Sequence, residues 1–315
     1  MINLPNKDRV IFDLALRVVD MIKEYQVTGN LVLETNSEGL SLASANFYPI
    51  LDYICNQFSI DKSRVTIVTN NAEESHPEYT IQVNGDHWIS NCKPIFNYVL
   101  KEKTFEYTAG AFFGKPNWHR LVLGAWLYKD PQCLLTMHYN PQDERHRIDA
   151  GFGDINIMAP EELTAVTEFV NKCPIILDDG FLNYTIGPPM HYNIIHQYHK
   201  IFVDVVSETY VSGLSFFPTE KTLRPIIAKT PFIAMGPAGY LNNLKRMGFK
   251  TFNSWWDESY DDLSDYDRVK AIQCTMAPIL KLSSSDLREL TKDMTPILEH
   301  NRLHLRKLNA ESVKL

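Results

Sequence analysis

Cysteine is sparse, and none of it is arranged for chemistry. Cys55, Cys92, Cys133, Cys173 and Cys274 are odd in number and scattered, with no Cys-x-x-Cys pair. That excludes a disulfide framework and suits a reduced, intracellular chain in which Cys acts as a small apolar residue. No segment approaches 18 uninterrupted apolar residues, so no membrane span is expected. The first twenty residues lack the basic, apolar and small-residue regions of a secretory signal, and the expected location is cytoplasmic. Basic residues are outnumbered, 31 Lys+Arg against 38 Asp+Glu, a net charge of −7. This disfavours a general nucleic-acid binder, whose affinity comes from phosphate neutralisation, and leaves room for a local basic groove. Internal repeats and low-complexity tracts are also missing, which removes solenoids. What remains is an ordinary globular composition, 44% hydrophobic and 22% charged over 315 residues. At roughly 150 residues per domain, that length predicts two domains, or else one large α/β domain.

The apolar spacing reads as alternating helices and strands. Residues 8–24 form an amphipathic helix, Leu31–Thr35 a strand, 45–58 a helix and Val65–Thr69 a strand, a βαβ pattern that points to a parallel sheet. Residues 80–93 are ambiguous, with a hairpin possible around Asn84-Gly85-Asp86. A strand over 105–113 ends in a Gly114-Lys115-Pro116-Asn117 turn and a helix near 119–128. The polar stretch from Lys129 to about Pro160 reads as a linker or surface excursion, with a helix after it at 160–171. The second half restarts the rhythm. Strands are expected at 199–207, 231–235 and 249–252, helices from Thr219, over 237–247, 264–281 and 285–308, the last interrupted by Pro296.

The richest constellation is Ser207-Glu208-Thr209 through Thr219-Glu220-Lys221-Thr222-Leu223-Arg224. With Thr219 as N-cap, the free amides and helix dipole make an anion site, to which Lys221 and Arg224 add charge. Glu220 would repel a phosphate opposite it. A carboxylate on a ribose diol beside a lysine on a diphosphate resolves that conflict, so the group would read a nucleoside diphosphate. The same spacing equally fits a capped surface helix. Lys115, His119 and Arg120 form a second basic group, with Arg120 in a helix's first turn able to hold a phosphate by two bonds, or simply exposed beyond a proline turn. Glu208 closes an apolar strand, where ligands of open α/β sheets bind.

The run from Ser207 to Leu241, with Glu208, the Thr219-Glu220-Lys221 triplet and the Gly236 turn in order, resembles the donor-binding half of GT-B glycosyltransferases. The resemblance is especially to fucosyltransferase-like and exostosin-like groups, and Gly248–Phe252 with Asp257–Tyr260 resembles sugar-transferase-like proteins of microbes and their viruses. In the N-terminal half only 113–120 shares the resemblance, and Lys115 stands where arginine is common. The resemblance implies an α/β fold of two Rossmann-like domains facing a cleft, with a helical C-terminus. It divides the chain into an acceptor domain at 1–175, a nucleotide-sugar domain at 176–285, and a helix at 286–315 packing back on the first domain. It implies a metal-independent transfer from a nucleoside-diphosphate sugar to an acceptor hydroxyl, with no tightly bound cofactor. Lys115, His119, Arg120, Glu208, Thr219, Glu220, Lys221 and Arg224 would bind the donor, with Arg120 and Lys221 stabilising the leaving diphosphate.

The Glu-x7-Glu signature of retaining enzymes is absent, since 216 is Phe and 212 is Ser, which favours inversion. An inverting enzyme needs a base. By analogy it comes from the N-terminal domain, where Glu34 has the best topology and Asp86 and His87 are alternatives. Rival readings are a virus-type transferase acting on modified DNA bases and a non-catalytic nucleotide- or sugar-binding protein of the same fold. Asp265-Tyr-Asp267 matches Asp-x-Asp but reads as an acidic helix start. His191, His196 and His199 lack a clear third ligand geometry for zinc. Trp255, Trp256, Tyr260, Phe216 and Phe217 are candidate stacking rings. Gly236-Pro-Ala-Gly239 resembles a phosphate-approach turn without a dinucleotide fingerprint.

Overall fold

The computed structural model describes residues 1–4, 10–35, 39–84, 93–142, 159–177 and 194–312. The chain divides into two compact units, Met1–Asn91 with Tyr210–Thr219, and Cys92–Thr209 with Glu220–Leu315. Among the described residues each is built on a four-stranded, all-parallel sheet.

In the first unit the strands run in chain order, β1 (Ile2–Leu4), β2 (Leu31–Thr35), β3 (Val65–Thr69) and β4 (Thr80–Val83). The expected 8–24 helix is two helices, α1 (Val10–Leu16) and α2 (Val18–Thr28), broken at Arg17, whose backbone leaves the helical region. α3 (Phe47–Gln57) follows β2. β2 and β3 alternate buried and half-buried residues. Leu31, Leu33, Val65 and Ile67 therefore share a core with Leu14, Met21, Phe47 and Leu51. β4 pairs parallel to β3, with Ile67 opposite Ile81; the rest of the possible hairpin, 85–92, lies outside the described residues. Glu34, opposite Asn3 and Val68, is half-buried near the carboxyl end of β2. Asp86 and His87 lie outside the described residues.

Segment 210–219 is held inside this unit by Asn71, which is fully buried. The Asn71 amide donates to Leu214 O (2.8 Å) and Glu74 Oε2 (3.0 Å), and its Oδ1 accepts from Phe216 N (2.9 Å) and Glu73 N (3.1 Å).

The second unit orders its strands β6-β5-β7-β8, from β5 (Tyr107–Phe113), β6 (Cys133–Met137), β7 (Ile201–Ser207) and β8 (Phe232–Met235). α4 (Trp118–Leu127) follows β5, and α5 (Pro160–Val170) follows β6 in sequence. Then come α6 (Glu220–Ile227), α7 (Tyr240–Arg246), α8 (Asp265–Ile279) and α9 (Ser284–Ser312). β7 and β8 are buried at every residue, the pattern of parallel strands covered on both faces. A Cβ on Gly110 would fall 2.5 Å from Ile201 Cδ1, so glycine there lets β7 pack tightly against β5.

Further expectations differ from this architecture. The 129–160 stretch is not all linker: five residues of it form β6, an apolar run too short to be separated from its polar flanks by periodicity. Residues 249–252 are not a strand. Asn301 takes their backbone pairing, accepting from Lys250 N (2.8 Å) and donating to Lys250 O (2.7 Å), and Glu258 accepts from Phe252 N (2.7 Å). Pro296 does not interrupt α9, whose buried Leu287, Met294, Leu298 and Leu305 keep one apolar stripe across it. Finally, position 175 is not the divide between units, because β5 and β6 share a sheet with β7 and β8. The terminal helix belongs to the second unit: His300 and His304 bond Gly248 O (2.9 Å) and Met247 O (2.7 Å), closing the carboxyl end of α7.

Candidate functional site

The strand order of the second unit reverses between β5 and β7. The chain steps outward from β5 to β6, then crosses back to β7 and continues to β8. In open α/β sheets the crevice beyond the carboxyl ends of two such strands is where ligands bind, because the loops that follow diverge to opposite sides. The first sheet has no such reversal among its described strands.

Residues from six elements meet at that point. Phe113 ends β5, and the turn at 114–117 delivers Trp118, His119 and Arg120 as the first turn of α4, all buried. His119 Nδ1 lies 2.7 Å from Oγ of Ser207, the last residue of β7. Arg120 Nη2 donates to Ser207 O (3.0 Å) and Glu208 O (2.8 Å), and Nη1 reaches Lys115 O at 3.5 Å. Arg120 is thus neither exposed nor presented outward as a two-bond fork: the residue is 3% exposed and its guanidinium holds the end of β7.

Glu208 is equally buried. Its Oε1 accepts from Thr222 Oγ1 (2.6 Å) on α6 and from Tyr240 OH (2.8 Å) at the start of α7, and the two hydroxyls are 2.7 Å apart. Thr219 is buried immediately before α6. Glu220 and Lys221 open the helix as an ion pair, Nζ to Oε1 2.8 Å, with 17% and 14% of their side chains exposed. Arg224, expected to face the anion, is instead buried on the sheet side. Tyr198, Glu220, Asp204 and Glu208 hold its charge there against the cost of burial, with a net upward shift of its pKa.

His119 reports how these charges converge. Burial first, then the positive charges of Arg120, Arg268 and Lys221, push its pKa well below the ordinary histidine value, so the imidazole is neutral near pH 7. Three cations brought from α4, α6 and α8 therefore act on one ring at the reversal point. Arg268 carried no sequence signal, since it follows the acidic Asp265-Tyr-Asp267 start of α8. Tertiary packing sends its guanidinium to Gly236 O (2.5 Å) and Leu263 O (2.5 Å). Ser207 and Thr222 lie inside the sequence constellation and Tyr240 inside the run to Leu241, but local spacing gives none of the three a role.

Several sequence candidates fall elsewhere. The Gly236–Gly239 turn leads to α7, but the amides there are already capped by an acid: Asp261 accepts from Leu241 N (3.0 and 2.9 Å) and Asn242 N (3.2 Å). Tyr260 and Trp256 are core residues, Tyr260 at 1% exposure and Trp256 against Phe252 with ring centres 5.3 Å apart. Phe216 is buried in the first unit and Phe217 half-buried. Asp267 accepts from Ser264 Oγ (2.6 Å) at the start of α8, an ordinary helix entry. His199 Nδ1 bonds His196 O (2.7 Å), and no group of three metal-ligating side chains occurs among the described residues. His191 lies outside them. No described helix is long and apolar enough to cross a membrane.

No protein-family model, curated protein or solved structure matches the chain.

Proposed function

We propose that the chain is a GT-B-type glycosyltransferase that moves a sugar from a nucleoside-diphosphate donor to an acceptor hydroxyl with inversion. The observation that carries this reading is the convergence of Arg120, Lys221 and Arg268 on His119, where the strand order reverses. A leaving diphosphate develops negative charge as the glycosidic bond breaks, and fixed cations in a poorly solvated site stabilise that charge most.

In this reading Lys221 and the first-turn amides of α6 touch the diphosphate, and Glu220 turns from its lysine to a ribose diol. Arg120 and Arg268, spent on carbonyl oxygens, supply potential and hold the site's backbone. Neutral His119 supplies hydrogen-bonding capacity without charge. Lys115, on the turn before α4, extends the basic rim. The proposed base is Glu34 at the end of β2, which would take the acceptor proton as the hydroxyl attacks the anomeric carbon.

Thermal stabilisation of the full chain by GDP, UDP, CMP and their sugar conjugates tests this. A rise in melting temperature with one nucleotide family is expected, and Lys221→Ala should abolish its diphosphate-dependent part. No shift with any nucleotide overturns the reading. Binding without sugar transfer or hydrolysis favours a non-catalytic binding protein of the same fold. Where transfer occurs, Glu34→Gln should lower kcat by at least about a hundredfold with KM for the donor little changed.

A further inference from the structure

We infer that Tyr240 is a positioning residue for Lys221, acting through the Glu208 carboxylate and the Thr222 hydroxyl; the inference rests on the diphosphate-site reading above. Tyr240 and Thr222 are both fully buried, and both hydroxyls meet Glu208 Oε1, at 2.8 and 2.6 Å. The main chain of Glu208 is held from the other side by Arg120 Nη2 at 2.8 Å. One residue at the end of β7 is thus gripped by α4 through its carbonyl and by α6 and α7 through its side chain.

Thr222 follows Lys221 in the first turn of α6. Fixing the Thr222 side chain on Glu208 fixes the rotation of that turn about its axis, and with it the direction in which Lys221 leaves the helix. Tyr240 completes the lock from the far side. Its ring rests on the turn after β8, where a Cβ on Gly236 would come 2.5 Å from Tyr240 Cγ. With no side chain, Gly236 lets the ring pass close enough for its hydroxyl to reach both partners. Hydroxyls of this kind specify geometry as well as contributing energy, because a buried carboxylate has few alternative donors.

The experiment compares wild type with Tyr240→Phe, Thr222→Val and Thr222→Ser, titrating GDP and GMP, and UDP and UMP, by calorimetry below the onset of unfolding. Tyr240→Phe and Thr222→Val should weaken diphosphate binding about three- to tenfold, the range expected for one net hydrogen bond. They should also shrink the preference for diphosphate over monophosphate, while Thr222→Ser, which keeps the hydroxyl, restores both. A purely structural role would lower the melting temperature and leave that preference unchanged, and such a result overturns the inference.

A ligand-free arm separates this from failure of the functional reading. With lysines carrying ¹³C-methyl labels, the Lys221 resonance should move in Tyr240→Phe. If wild type binds none of the four nucleotides, the diphosphate reading falls, and this resonance alone decides whether Tyr240 positions Lys221. An unmoved resonance overturns the positioning.

Discussion

His119 Nδ1 and Ser207 Oγ meet at 2.7 Å across the carboxyl ends of two neighbouring parallel strands, β5 and β7. The contact ties the first turn of α4 to the last residue of β7 at the only place in this sheet where strand order reverses among the described strands. Burial and three cations hold the ring neutral, so the pair is a hydrogen bond between uncharged groups inside a positive field.

That neutrality is directly measurable. Ring ¹⁵N shifts of His119 should report a neutral imidazole through the whole pH range in which exposed histidines titrate, around their usual pKa of about 6.5. The folded-state pKa is depressed, so the stability His119 contributes is present above about pH 6.5 and is lost only as pH falls through the lower folded value. An imidazolium signature at mildly acidic pH contradicts this arrangement.

A second buried group governs a different part of the pH range. Asp204, mid-way along β7, accepts from Tyr198 OH at 2.5 Å, and burial pushes its pKa up to about 7 despite Arg224 and Lys103. Lys103, bonded to Tyr198 O (2.8 Å) and Thr230 Oγ1, is pushed down to about 7 by burial. For Asp204 the folded pKa exceeds the unfolded one. Its stabilisation is therefore full below about pH 4 and is lost as pH rises through about 7. For Lys103 the sign is reversed: its contribution is present above about pH 10.5 and lost as pH falls through about 7. Asp204→Asn keeps an acceptor for Tyr198 and removes the acid titration. The melting temperature of the variant relative to wild type should rise from about pH 5 to about pH 7. A constant difference across that interval refutes the assignment.

The first unit offers a stability test. The Asn71 side chain makes four hydrogen bonds, two to segment 210–219 (Leu214 O and Phe216 N) and two within the turn after β3 (Glu73 N and Glu74 Oε2). Asn71→Ala leaves those backbone groups without their partner in a buried site and should cost about 2–4 kcal/mol. Hydrogen exchange at the Phe216 amide, whose acceptor is Asn71 Oδ1, should accelerate in the variant. An amide that remains as protected as in wild type removes Asn71 from the clamp.

The sequence by itself determined most of the elements. Leu31–Thr35 and Val65–Thr69 fall where their apolar β-branched runs end, and α4 begins where Gly114-Lys-Pro-Asn releases the chain. It also marked Arg120, Glu208 and Lys221, because local spacing is enough to show a charge at a helix start or a strand end. Tertiary structure decided what those charges face. Whether β6 exists depended on a free edge of β5, and whether 249–252 is a strand depended on Asn301 and Glu258 reaching its backbone first. Arg120 became a buried clamp because two carbonyls at the end of β7 lie within its reach, and Arg224 turned to the sheet because Asp204 and Tyr198 are there. Arg268 and Tyr240, 28 residues apart in sequence and on different helices, joined the site for the same reason. Hydrogen-bond partners and desolvation are set by what packing brings within about 3 Å, and no one-dimensional period encodes that distance.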